Sequence, residues 1–140
     1  MKYIHDGKVL HRDLKTDNIM LCKNGVIKIS DFGVSKRLNE TCGLAKSNCG
    51  TPVYMSPELI NKQGYNASTD IWSLGVTLYE LCTFQMPFKL DKLHKNPWKD
   101  LNEKILKGDF EPVSKKYSKE IHELISSMLT IDPKERPSIN

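Results

Sequence analysis

Residues 70–84 read as a helix that is apolar nearly all the way round, with Ile71, Leu74, Leu78, Leu81 and Cys82 spaced for burial. A helix without a polar face cannot lie on a surface, so the rest of the chain must be arranged around it. At 140 residues the chain is long enough to build one such core. The stretch 71–82 is too short to span a bilayer and carries Glu80, and the N-terminus (MKYIHDGKVLH) lacks the long apolar run of a signal peptide. A soluble chain is expected. Its formal net charge of +4 comes from scattered lysines and arginines, which favours a solvated surface over a nucleic-acid or membrane partner. The four cysteines (Cys22, Cys42, Cys49 and Cys82) form no CxxC pair, so neither a zinc site nor a disulfide framework is suggested, and reduced thiols in an intracellular protein fit best.

The flanking elements follow from local signals. A helix tail over residues 1–5 should stop near Asp6-Gly7, since glycine is the usual residue past a helix end. Short apolar runs at 18–21 and 26–29 bracket Cys22-Lys23-Asn24-Gly25, and Asn-Gly between such runs predicts a hairpin. From 34 to 57 the chain is polar and aperiodic, the pattern of a long functional loop. A weaker helix over 97–107 ends at Gly108. A last, amphipathic one follows Ser118 as N-cap, with Ile121, Leu124, Ile125, Met128 and Leu129 at i, i+3, i+4, i+7, i+8.

Chemistry concentrates in two motifs, His11-Arg12-Asp13-Leu14-Lys15-Thr16-Asp17-Asn18 and Asp31-Phe32-Gly33. The spacing is that of phosphoryl transfer. Asp13 can accept the proton of an attacking hydroxyl, and Asn18 and Asp31 can offer oxygens to Mg²⁺ bridging nucleotide phosphates. Lys15 can set a point charge beside the phosphoryl group.

These motifs resemble the catalytic and metal-binding segments of a eukaryotic serine/threonine protein kinase, and the resemblance covers the whole chain. Gly50-Thr51-Pro52 and Ser56-Pro57-Glu58 resemble the close of the activation segment, with Ser56 where the family usually has alanine. Asp70-Ile71-Trp72-Ser73-Leu74-Gly75 resembles the start of a central helix, and Asp132-Pro133 with Arg136-Pro137 resembles a closing signature. The stretches DFGVSKRLN, GTPVYMSPEL and ILKGDFEPV are most similar to the NIMA-related (never-in-mitosis-related) kinases.

The resemblance implies a mainly α fold, a kinase-like C-terminal lobe with a short β-hairpin and with the small N-terminal lobe absent. Residues 1–140 would be a partial kinase domain: catalytic loop 11–18, metal-binding and activation segment 31–58, helical subdomain 59–140. It further implies ATP and Mg²⁺ as cofactors and protein serine or threonine hydroxyls as substrates. Asp13 would be the base, Lys15 a phosphate contact, Thr51 a contact to both, and Met20 would lie under the adenine. A buried Glu58–Arg136 pair, an Asp70 bonded to the catalytic-loop backbone and a His11 stacked beneath Phe32 would be structural. Arg12 and Lys36 would clamp a phosphate placed on Ser47, or secondly on Thr41, by an upstream kinase or by the protein itself. Trp72 and Trp98 are expected to pack in the core and between helices. His94, Lys89, Lys92, Lys95 and Lys99 are expected on a solvated loop. A cytoplasmic location is implied, with cytoskeletal or nuclear association open.

The eight glycines never approach G-x-G-x-x-G spacing, and no strand with a VAIK-type lysine precedes the catalytic loop. Those parts cover and hold the nucleotide. The expectation is therefore a chemically complete half-site. The alternative is a catalytically inactive, truncated or pseudokinase-like lobe that binds partners through its exposed helical face. An exposed inter-lobe face containing Met20, Leu21 and Phe32 separately predicts poor solubility or a need for a partner.

Overall fold

The computed structural model describes residues 1–37, 51–64 and 66–139. Among these, helix α1 (Lys2–Asp6) leads into strand β1 (Val9–Leu10). Strands β2 (Ile19–Leu21) and β3 (Ile27–Ile29) form an antiparallel hairpin with Ile19 opposite Ile29 and Leu21 opposite Ile27. Its turn is closed by Gly25 N–H to Cys22 C=O (2.9 Å), with Gly25 at φ +78°, a region open to glycine and costly to other residues. Strand β4 (Lys36–Arg37) pairs antiparallel with β1, a contact hidden inside the stretch expected as loop. That stretch also holds a 3₁₀ turn, Pro52–Tyr54. Helices α2 (Pro57–Ile60), α3 (Ala67–Thr83), α4 (Pro97–Lys107) and α5 (Lys119–Met128) follow.

Helix α3 occupies the centre. It starts at Ala67 rather than Asp70, because the Asn66 side chain accepts the Ser68 N–H (2.9 Å) and caps the first turn. Trp72, Val76, Tyr79 and Cys82 are buried against Phe88, Leu101, Ile105, Val113, Ile125 and Leu129. Trp72 stacks on Phe88 with centroids 5.7 Å apart, and Phe110 meets both Phe88 and Tyr79 edge-on. Of the leucines expected inside, Leu74 and Leu78 are half-buried and Leu81 is exposed. The aromatic and small residues of α3 turn toward the core instead. At Gly75, α5 comes so close that a Cβ would meet Met128 Cβ at 2.8 Å and Leu129 Cδ2 at 3.1 Å.

Helix α4 runs from Pro97 to Lys107, capped by the Asn96 side chain and by Gly108 at φ +71°. Trp98 departs from expectation. It is about half exposed on the outer face of α4, because Leu101 and Ile105 take the buried positions. Ser118 stands at the N-cap of α5 without a side-chain capping bond. Thr41 and Ser47, with Cys42, Cys49 and Gly50, lie outside the described residues. No helix among the described residues is long and apolar enough to cross a membrane.

Candidate active site

The catalytic-loop motif is anchored from below. Asp70, buried on the first turn of α3, accepts His11 N–H at Oδ2 and Arg12 N–H at Oδ1, both at 2.9 Å. A third donor, His5 Nε2–H, reaches Asp70 Oδ2 at 2.9 Å. These bonds hold the chain where Arg12 takes φ +72°, a left-handed conformation costly to a residue with a side chain. Arg12 Nε also donates to the Val34 carbonyl, tying this loop to the segment after Asp31. His11 is fully buried and donates Nε2–H to Ser30 C=O (2.9 Å); it meets Phe32 edge-on at 4.8 Å, not stacked as expected.

Above this base, Asp13, Lys15 and Thr51 converge. Lys15 Nζ lies 2.8 Å from Asp13 Oδ2 and donates to Thr51 Oγ1 at 3.1 Å. Thr51 gives both its hydroxyl (2.9 Å) and its backbone N–H (3.1 Å) to Asp13 Oδ1. Burial pushes the Asp13 carboxyl up, but the Lys15 ammonium and the two Thr51 donors outweigh it and hold the pKa below the usual carboxylate value. The same contact with Asp13 raises Lys15. At neutral pH the arrangement is therefore a carboxylate beside an ammonium, able to accept a proton from a hydroxyl brought against it.

Asn18 is buried and donates Nδ2–H to the Asp13 carbonyl at 2.8 Å, which fixes the amide and turns Oδ1 away from that bond. Asp31 follows β3 at φ +58°, exposed, with Oδ1 accepting Gly33 N–H (3.2 Å) and no other donor among the described residues. An amide oxygen and a carboxylate with spare lone pairs are the hard donors a Mg²⁺ ion takes. No group of three or more acidic, histidine or cysteine side chains that could hold a metal occurs among the described residues. Met20 is half-exposed on β2, and Lys36 is exposed on β4.

The whole chain, residues 1–140, matches the family described as protein kinase domain. It belongs to that family. Among its most similar relatives are serine/threonine-protein kinases named Nek (NIMA-related). It is 48% identical over 141 residues to human serine/threonine-protein kinase Nek5, matching 100% of this chain and 19% of that protein. Over 140 residues it is 44% identical to mouse serine/threonine-protein kinase Nek1 (100% and 11%), and over 136 residues 43% identical to serine/threonine-protein kinase Nek11 of Macaca fascicularis (97% and 20%). The chain thus spans a fifth or less of the length of these relatives.

This kinase-family chain also carries contacts that no sequence signal announced. The Tyr54 hydroxyl donates to Glu80 Oε2 at 2.6 Å, and Thr16 Oγ1 donates to the same oxygen at 2.9 Å. Burial first, then the Glu80 carboxylate, push the Tyr54 phenol up to about 12. One carboxylate on α3 thereby ties the residue after Lys15 to the turn after Thr51. Further from the site, Arg136 grips Glu58 with both terminal nitrogens at 2.8 Å, as the resemblance implied.

Proposed function

We propose that the chain is the larger-lobe part of a NIMA-related-type serine/threonine kinase domain and moves a phosphoryl group from Mg²⁺-ATP to protein serine or threonine hydroxyls. The observation that carries this reading is the convergence of Lys15 and Thr51 on the two oxygens of Asp13. Thr51 occupies Asp13 Oδ1 and aims the carboxylate. A substrate hydroxyl docked on Asp13 would lose its proton to it while the oxygen attacks phosphorus, and Lys15 would move onto the charge gathering on the transferred group. Asn18 and Asp31 would hold the metal through Oδ1 of the amide and the free carboxylate lone pairs. When bound, Mg²⁺ neutralises the phosphate charge. Everything else in the step is positioning by the chain.

Asp70 and His5 serve that positioning by fixing the backbone under Asp13. Phosphorylation of Ser47 or Thr41, clamped by Arg12 and Lys36, would order the activation segment. Replacing Ser47 with Ala should then lower activity, and unchanged activity would remove the switch from this reading.

The test of the reading itself is transfer of labelled γ-phosphate to a serine/threonine peptide by the native protein carrying these residues. Asp13→Asn should reduce kcat by at least about 10²-fold with the thermal midpoint little changed. Undiminished transfer in Asp13→Asn would sink the assignment. Because residues 1–140 include no glycine-rich loop and no VAIK-type lysine, we expect the 140-residue chain alone to turn over slowly. Brisk turnover by that chain, lost on Asp13→Asn, would refute this second expectation while leaving the first intact.

A further inference from the structure

A second concave site lies away from Asp13. A cleft of about 280 Å³ is floored by Tyr79, Phe88 and Phe110, aromatic rings that brace one another at centroid distances of 5.7 and 5.9 Å. The volume sits just under the ~300 Å³ where small-molecule pockets begin, so it suits one large side chain better than a free ligand. Its walls are preformed, and no residue proposed for phosphoryl transfer lines it.

Charge is distributed unevenly around it. Lys89 lines the cleft and begins a loop with Lys92 and Lys95, and Lys99, expected on the same loop, sits instead in the first turn of α4; against the single Asp91, residues 89–99 carry +3 of the chain's net +4. The sequence reading of scattered cations therefore misses a local concentration. Lys99 has Glu103 at 3.9 Å, but no acid lies within ion-pair distance of Lys89, Lys92 or Lys95 among the described residues. The loop has a defined shape. Asp91 Oδ1 accepts Leu93 N–H (2.9 Å), and Asn96 N–H reaches His94 Nδ1 (3.1 Å). Lys104, itself paired with Asp100 at 2.6 Å, donates to the Lys89 carbonyl and fastens the loop to α4. This turn presents Leu93 at 97% exposure among its lysines. Asp109 and Glu111, on either side of Phe110 in sequence, bring the opposite sign to the cleft lining.

We propose that this cleft and the lysine loop beside it dock an acidic peptide segment of a partner protein. One large apolar side chain would enter against Phe88 and Phe110, and its flanking carboxylates would lie along Lys89, Lys92 and Lys95. Charge complementarity selects the acidic flank, and the aromatic floor selects the apolar anchor. An anionic lipid surface could meet the lysines but would leave the concave aromatic floor unfilled. The inference goes beyond the proposed phosphoryl transfer and needs none of it.

The test is fluorescence anisotropy of the native protein carrying these residues with a fluorescein-labelled peptide, Glu-Asp-Glu-Phe-Glu-Asp-Glu. Saturable binding is expected, weakened at least about tenfold by the double variant Lys89→Glu, Lys92→Glu and similarly by serine in place of the peptide's phenylalanine. Glu111→Lys should bind as well as the wild type or better. Both lysines are exposed, so a thermal melt like that of the wild type is expected; the milder pair Lys89→Gln, Lys92→Gln repeats the test if it is not. Absence of saturable binding, or binding indifferent to the lysines or to the phenylalanine, would overturn the proposal. So would phosphatidylserine vesicles that bind through the same lysines while the peptide does not.

Discussion

Two ion pairs of equal length do different work in this molecule. Arg136–Glu58 and Lys15–Asp13 both close at 2.8 Å. The first leaves its side chains 0% and 4% exposed, the second 21% and 14%. Arg136 spends every N–H: two on the Glu58 oxygens, and the rest on the carbonyls of Ser68, Thr130 and Ile131 at 2.8–3.0 Å, with its guanidinium 5.0 Å from the Trp72 ring centre. Thr69 adds a hydroxyl to Glu58 Oε1 at 2.8 Å. Nothing in that pair is left for a newcomer. Lys15 and Asp13 instead share one threonine and keep an open side. A closed pair of this kind fastens α2 to the chain's end, whereas an open pair can exchange one partner for a substrate.

The largest expected effect breaks the closed pair. Arg136→Met should cost about 3–5 kcal/mol in urea unfolding, because Glu58 is left buried and alone. A loss below about 1 kcal/mol would mean the two pairs are equivalent. The same contrast appears with acid. Burial pushes Glu58 up, Arg136 more than reverses it, and the folded carboxyl titrates below its ordinary value of 4.5. The pair's stability is therefore present above that value and is lost as pH falls through the lower folded value. Unfolding midpoints in Arg136→Met should lose this part of their acid dependence.

A smaller effect sharpens the open pair. Thr51→Val removes one hydroxyl from Asp13 and from Lys15, which should lower kcat/KM of the native kinase about tenfold while moving unfolding by less than about 1 kcal/mol. With that donor gone the Asp13 carboxyl rises, so the acid limb of the rate profile should shift to higher pH. An unmoved limb would show that Thr51 does not tune the base.

The smallest effect has the opposite sign. Ser56 is fully buried beside this region, and its hydroxyl has no partner among the described residues. Ser56→Ala should raise stability by about 1 kcal/mol in the same unfolding assay. A loss would mean the hydroxyl is satisfied after all.

What could be read in the sequence was what is local. Pro97 and Gly108 set the ends of α4 because each acts within one turn, and the Asn24-Gly25 hairpin is equally short-range. Asp13, Lys15 and Asn18 lie on one short loop, so their grouping needed no fold to be seen. The β1–β4 pair escaped because two-residue strands carry no periodicity and meet across more than two dozen residues. Thr16, Tyr54 and Glu80 escaped for the same reason, as their shared oxygen joins positions up to 64 apart. Leu81 and Trp98 were misjudged because hydrophobic spacing names a stripe without saying which neighbour covers it.

Gly75 carries a consequence at the level of the gene. The space between α3 and α5 is already taken at the point where any other residue would put its first side-chain carbon, 2.8 Å from Met128 Cβ. Every codon change there that alters the amino acid adds that carbon, so no replacement at this position is mild. The codon for Gly75 can drift only among its synonyms, unless Met128 and Leu129 change with it.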